Sequence, residues 1–140
     1  MPYSLETVHP LLVHFPIALF STGLFFDILA KLLNNEELDH AGFWTMLMAL
    51  ISSPFTIIAG IFAFLEEGSF LDFFQLPFYH GILAFISTLF LLVLFWVRIK
   101  FQLDFLYSSL KRNIYLALHI LAVGILFYGA HLGAKFAGKI

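Results

Sequence analysis

Cysteine is absent from all 140 residues. That excludes disulfides, thiolate metal sites, iron–sulfur ligation by cysteine and covalently attached c-type haem, which needs a C-x-x-C-H sequence. Charge is scarce as well: Asp, Glu, Lys and Arg make up 11% of the chain, against about 25% in a soluble domain. The formal net charge of −2 gives no basic footprint for nucleic acid, so no nucleic-acid partner is expected. No nucleophile triad, phosphate loop or zinc-protease motif occurs, and nothing points to hydrolase or transferase chemistry. If the chain is part of an enzyme, it is as a redox component. Alternating ten-residue strand repeats are also missing, which excludes a membrane β-barrel.

What is present is apolar: 61% of residues are hydrophobic and the mean hydropathy is +0.97. About 20 apolar residues suffice to cross roughly 30 Å of hydrocarbon as a helix. Four stretches meet that rule: about Leu11–Leu33, Phe43–Leu65, Phe78–Val97 and Ile114–Ala134. They predict an all-α integral membrane protein, a single four-helix transmembrane bundle spanning residues 1–140 with antiparallel up-down connectivity. The first stretch follows Glu6 rather than a positive segment and lacks a small-residue cleavage pattern, so it reads as a span and not a signal peptide.

Lysine and arginine set the orientation. Lys31, Arg98, Lys100, Lys111 and Arg112 lie at one set of span ends, and only Lys135 and Lys139 at the other. The positive-inside rule places the first set in the cytoplasm and both termini outside it, as in the inner membrane of a bacterium. Pro10 suits the first turn of a helix, Pro16 should loosen or kink the first span, Pro54 interrupts the second and Pro77 starts the third. Near Pro54, the hydroxyls of Ser52, Ser53 and Thr56 are placed to satisfy freed carbonyls. Gly129-x-x-x-Gly133 forms a small-residue surface for close helix approach, and hydroxyls near mid-span in the first three helices suit interhelical hydrogen bonds.

The candidate site is a set of histidines. His9, His14, His80 and His131 fall near the outer ends of the spans, at a depth shared with Glu66, Glu67 and Asp72. His40 is expected in the opposite loop. Ionisable groups at membrane depth are expensive, and imidazole is a frequent ligand for haem iron and transition metals. His9 and His14 are five residues apart, about 140° around a helix, so they serve different partners. The set suits a b-type haem with two axial imidazoles, with His14 and His80 as the first choice of iron ligands. His131 and His9 are the second pair, or hold the propionates. The alternative is a copper, iron or zinc ion with Glu66 or Glu67 completing the set. On the cytoplasmic side, Asp27 and His119 should reach the same depth and pair, in competition with an Asp27–Lys31 pair four residues apart on one helix.

His9-Pro10-Leu11-Leu12-Val13-His14-Phe15-Pro16-Ile17-Ala18-Leu19 resembles the opening H-P-x-x-V-H-F-P-I-A-L motif of a widespread bacterial family of four-helix membrane proteins of unknown function. Tyr79-His80-Gly81 and the glycine-rich Gly129–Lys135 segment are similar too, so the likeness covers nearly the whole chain. Some relatives are joined to c-type cytochrome or Rieske-type domains, which implies a setting in membrane electron transfer but names no reaction. The expected function is therefore a small cytochrome b-like electron carrier that exchanges electrons with a quinol or an external c-type cytochrome. Two other roles stay open: an accessory subunit of a larger membrane redox complex or a homo-oligomer, and a metal-binding or transport protein.

Overall fold

The structure is a computed structural model that describes residues 5–67, 76–101 and 108–136. Asp72 and the side chains of Glu66 and Glu67, three of the acidic groups expected near the histidines, lie outside what it describes. Four helices account for nearly all described residues: α1 (Leu5–Leu33), α2 (Glu36–Glu67), α3 (Leu76–Lys100) and α4 (Ser109–Phe136). Each holds a stretch long and apolar enough to cross a membrane: Leu11–Leu33, Glu36–Ala63, His80–Lys100 and Ser109–Lys135. The second starts earlier than the sequence expectation, and His40 belongs to the opening turns of α2 rather than to a loop.

Local chemistry sets the ends. Asn34 adopts φ 49°, and the Asn35 amide reaches back to the Ala30 carbonyl (3.1 Å), a left-handed cap that closes α1. The Asn35 side chain then accepts from the amides of Glu37 and Leu38, capping α2 at once. A reversal this short forces α1 and α2 side by side, and they form the most extensive helix pair, followed by α3 with α4. Contacts between α1 and α2 run from Leu12–Thr56 at one end to Gly23–Met46 further along. Those between α3 and α4 run from His80–Gly129 to Arg98–Tyr115. In both pairs an advance along one helix is a retreat along the other.

The proline expectations are met only in part. α1 begins at Leu5, so Pro10 lies past the first turn, and Pro16 and Pro54 both sit inside continuous helices. Pro16 has no N–H for the Leu12 carbonyl four residues back. Thr56 Oγ1 of α2 donates to that carbonyl instead (3.2 Å), turning a lost helix bond into a helix–helix bond. The hydroxyls of Ser52 and Ser53 bond to Ala49 rather than to Leu50, the residue whose carbonyl Pro54 leaves unpaired.

Buried positions recur every three or four residues. They are Gly42, Met46, Ala49 and Ser53 on α2, and Ser87, Leu91, Leu94 and Arg98 on α3. This 3.5-residue seam is that of helices packed near-parallel by knobs into holes. Phe20, Met46, Ala49, Leu91 and Ala122 fill the middle with no exposure, and Ser87 Oγ donates across to the Ala122 carbonyl (2.6 Å). Most other large apolar side chains face outward, among them Phe15, Phe55, Phe62 and Phe85, as a lipid-facing surface requires. Trp44 and Trp96 are exposed toward the end where Lys100 lies over the Trp96 ring (4.9 Å), an interfacial arrangement.

Candidate functional site

One turn of helix takes 3.6 residues, so positions 18 apart share a face after five turns, about 27 Å along the axis. His9 and Asp27 on α1 are so related, as are His80 and Arg98 on α3. The inner faces of α1 and α3 therefore carry a polar residue at each end of the bundle. The structure brings these pairs together as two stations, separated by the apolar middle.

At the outer station the rings of His9 and His80 lie with centroids 6.4 Å apart and planes inclined at 71°. Both are half-buried. His80 Nδ1 is 2.5 Å from the Gly129 carbonyl. A carbonyl only accepts, so Nδ1 carries the proton and the lone pair of the neutral ring is on Nε2. The missing side chains of two glycines make room for the imidazoles: a Cβ on Gly133 would lie 2.8 Å from His80 Cε1, and one on Gly60 2.8 Å from His9 Cε1. Gly129 meets Leu83 and the His80 backbone, so the small-residue surface read from the sequence packs on α3, whereas Gly124 faces open space. Burial first, and the neighbouring His80 second, hold His9 below the ordinary histidine value of 6.5; a backbone hydrogen bond with Thr56 opposes them. His9 is thus neutral at physiological pH, and its buried Nδ1 has no hydrogen-bond partner.

His14 and His131 are not part of this pair. α1 runs helically through Pro16, so the 140° between His9 and His14 stands, and His14 is exposed. On α4 the inward positions are taken by Gly129 and Gly133, and His131 between them is exposed. Among the described residues no group of three or more His, Asp or Glu gathers in a metal-binding arrangement. Two imidazoles are what a porphyrin iron asks of its protein, because the macrocycle supplies the other ligands; a bare zinc ion wants three or four protein donors. Two imidazoles, one with an unpartnered buried nitrogen, are the donor type and number that a haem iron would take.

The inner station is ionic. Arg98 Nη1 donates to both oxygens of Asp27 at 2.8 Å, and the two residues are 5% and 3% exposed. Arg98 Nη2 donates to the Asp39 carbonyl (2.7 Å) and lies 3.2 Å from its carboxylate, which Arg112 also approaches (3.7 Å). The Tyr115 hydroxyl accepts from Arg98 (3.2 Å) and has Asp27 Oδ2 (3.4 Å) and Met46 Sδ (3.3 Å) as acceptors. The rings of Phe43 and Tyr115 flank the guanidinium. His119 Nδ1 is 3.5 Å from Asp27 Oδ2, so the expected approach of Asp27 and His119 is present. Lys31 instead donates to Asn113, and the competing Asp27–Lys31 pair is not what the structure displays.

Sequence reasoning missed Arg98, Asp39 and Tyr115. In the sequence Arg98 reads only as a topological charge, although its 18-residue spacing from His80 matches that of Asp27 from His9. Gly42 was missed as well: a Cβ there would overlap the Asp27 carboxylate, so its absence is what admits the acid between α1 and α2. The family described as Predicted membrane protein (DUF2231) matches residues 5–139. No curated protein and no solved structure matches the chain.

Proposed function

The chain belongs to the DUF2231 family of predicted membrane proteins, and from that premise we propose that it is a small b-type cytochrome-like electron carrier whose haem is held by His9 and His80. The observation that carries this reading is the pair of half-buried imidazoles 6.4 Å apart, drawn from α1 and α3, one with an unpartnered buried nitrogen. His9 takes the place that His14 held in the sequence expectation. When bound, haem would supply one-electron chemistry. The protein's own part is to present the two imidazoles, to fix the His80 tautomer through the Gly129 carbonyl, which also raises the basicity of Nε2, and to separate them from the ionic station by the apolar middle of the bundle.

The lysine and arginine distribution supports a multi-pass protein of the bacterial inner membrane with both termini and the histidine pair outside the cytoplasm. A quinol within the bilayer or an external c-type cytochrome is then the electron partner. The test is absorption of the full-length protein, purified in detergent from cells with ample haem. Wild type should show a Soret band and a sharp reduced α-band, lost in His9→Ala and in His80→Ala and retained in His14→Ala and His131→Ala. Colourless wild type would overturn the haem reading. Stoichiometric copper or zinc in that colourless protein would assign the same two imidazoles to a bare ion, and metal-free protein would leave a packing role in a larger complex. Loss of colour in His14→Ala with retention in His9→Ala would restore the His14–His80 pair.

A further inference from the structure

His119 is fully buried at the inner station, and neither of its ring nitrogens has a hydrogen-bond partner. A neutral imidazole carries one N–H and one lone pair, and both are costly to leave unmet. An apolar side chain of similar size would fill the position without that cost, so the imidazole needs a reason to be there. Nδ1 stands 3.5 Å from Asp27 Oδ2, too far for a good hydrogen bond and near enough for an ion pair. We propose that His119 is a buried proton-binding site, with Asp27 as the carboxylate that exchanges between Arg98 and the protonated ring.

The charges that face His119 decide how such a site works. They come from all four helices: Asp27 on α1, Asp39 on α2, Arg98 on α3, and Arg112 with the Tyr115 hydroxyl on α4. Two carboxylates balance two guanidiniums, so the station is neutral while His119 is neutral and gains one positive charge when the ring takes a proton from water at the inner end. That charge needs a share of Asp27. Arg98 can release it, because its Nη2 is anchored independently on the Asp39 carbonyl and carboxylate. The protonated ring closes the 3.5 Å gap to Asp27, Arg98 shifts its weight to Asp39, and loss of the proton to water reverses both movements. Lys31 takes no part, since its ammonium is turned to Asn113.

A plain ionic staple would hold the same residues together without His119 ever changing charge. Nitrogen-15 NMR of histidine-labelled full-length protein in lipid nanodiscs, from pH 4.5 to 9, separates the two, with the His119 signal assigned by its absence from His119→Gln. The ring should pass from neutral to doubly protonated within that range. Arg98→Gln, which leaves Asp27 without its cation, should raise the protonated-to-neutral ratio at pH 7 at least tenfold, and Asp27→Asn should lower it at least tenfold. A ring that stays neutral to pH 4.5 while circular dichroism shows intact helices overturns the proposal, and that wild-type result needs no variant to fold. Titration unchanged by both substitutions overturns it too, because Asp27 would then not be the exchanging group. The measurement uses protein without haem, so its failure and that of the haem reading are separate results.

Discussion

Arg98→Gln, Asp27→Asn and their double variant test whether the inner station is an ion pair in the energetic sense. Arg98 donates to both carboxylate oxygens at 2.8 Å, and both side chains are almost completely buried. Charge centres about 4 Å apart attract by roughly 4 kcal/mol at an effective dielectric near 20. Removing one partner also strands the other charge at membrane depth, so each single variant should cost about 3–5 kcal/mol. The double variant strands nothing. It should lose less than the sum of the singles by at least about 2 kcal/mol, the Tyr115 hydroxyl and the Asp39 carbonyl remaining as partners for the two amides. Gly42→Ala, which presses a methyl group onto the Asp27 carboxylate, should cost as much as a single variant in wild type and much less in the Asp27→Asn background, where the amide is free to turn away. Reversible unfolding in mixed detergent micelles reads all of these. Additivity within about 0.5 kcal/mol would refute the argument, for it would mean that the two groups do not depend on one another.

Thr56→Val should destabilise the bundle by about 1–2 kcal/mol by leaving the Leu12 carbonyl unpaired, and the loss should shrink when Pro16→Ala restores an N–H within α1, as the same unfolding assay would show. Gly133→Ala and Gly60→Ala should displace the His80 and His9 rings and lower the melting temperature, whereas Gly124→Ala, whose new methyl group meets nothing, should be neutral or stabilising by up to about 1 kcal/mol. Equal effects at all three glycines would contradict the cradle geometry. Because His9 titrates below its unfolded value of 6.5, the unfolded chain binds more protons there, and the contribution of His9 is complete above pH 6.5 and lost as pH falls toward the folded value. Thermal melts between pH 8 and pH 5 should therefore show a decline that His9→Leu reduces; an unchanged slope would assign the decline to other groups.

The fold was legible because lipid leaves so few options. A chain without water to satisfy its amides must coil them into helices or close them in a barrel, and the continuous apolar runs chose helices. Depth was legible too: span position put His9, His14, His80 and His131 near one membrane face and Asp27 with His119 at matching levels near the other. The face was written in the sequence but read incompletely. His14 and Pro16 lie so close to His9 that depth alone did not separate the two histidines, whereas the 18-residue relations of His9 to Asp27 and of His80 to Arg98 do.

By itself the sequence determined four membrane helices, their approximate spans, and the histidines near one set of ends with Asp27 and His119 toward the other. Only the tertiary structure decided that α1 and α3 stand close enough for His9 to meet His80, that Arg98 outcompetes Lys31 and His119 for Asp27, and that Gly60 and Gly133 back the imidazoles. The physical reason lies in the solvent. Lipid tails are as apolar as leucine, so hydrophobicity places a helix in the membrane without saying which side faces its neighbours. That choice falls to close packing at small residues and to a few buried hydrogen bonds and charges, whose partners lie far apart in the chain, 88 positions for Tyr115 and Asp27, and become neighbours only when the helices have assembled.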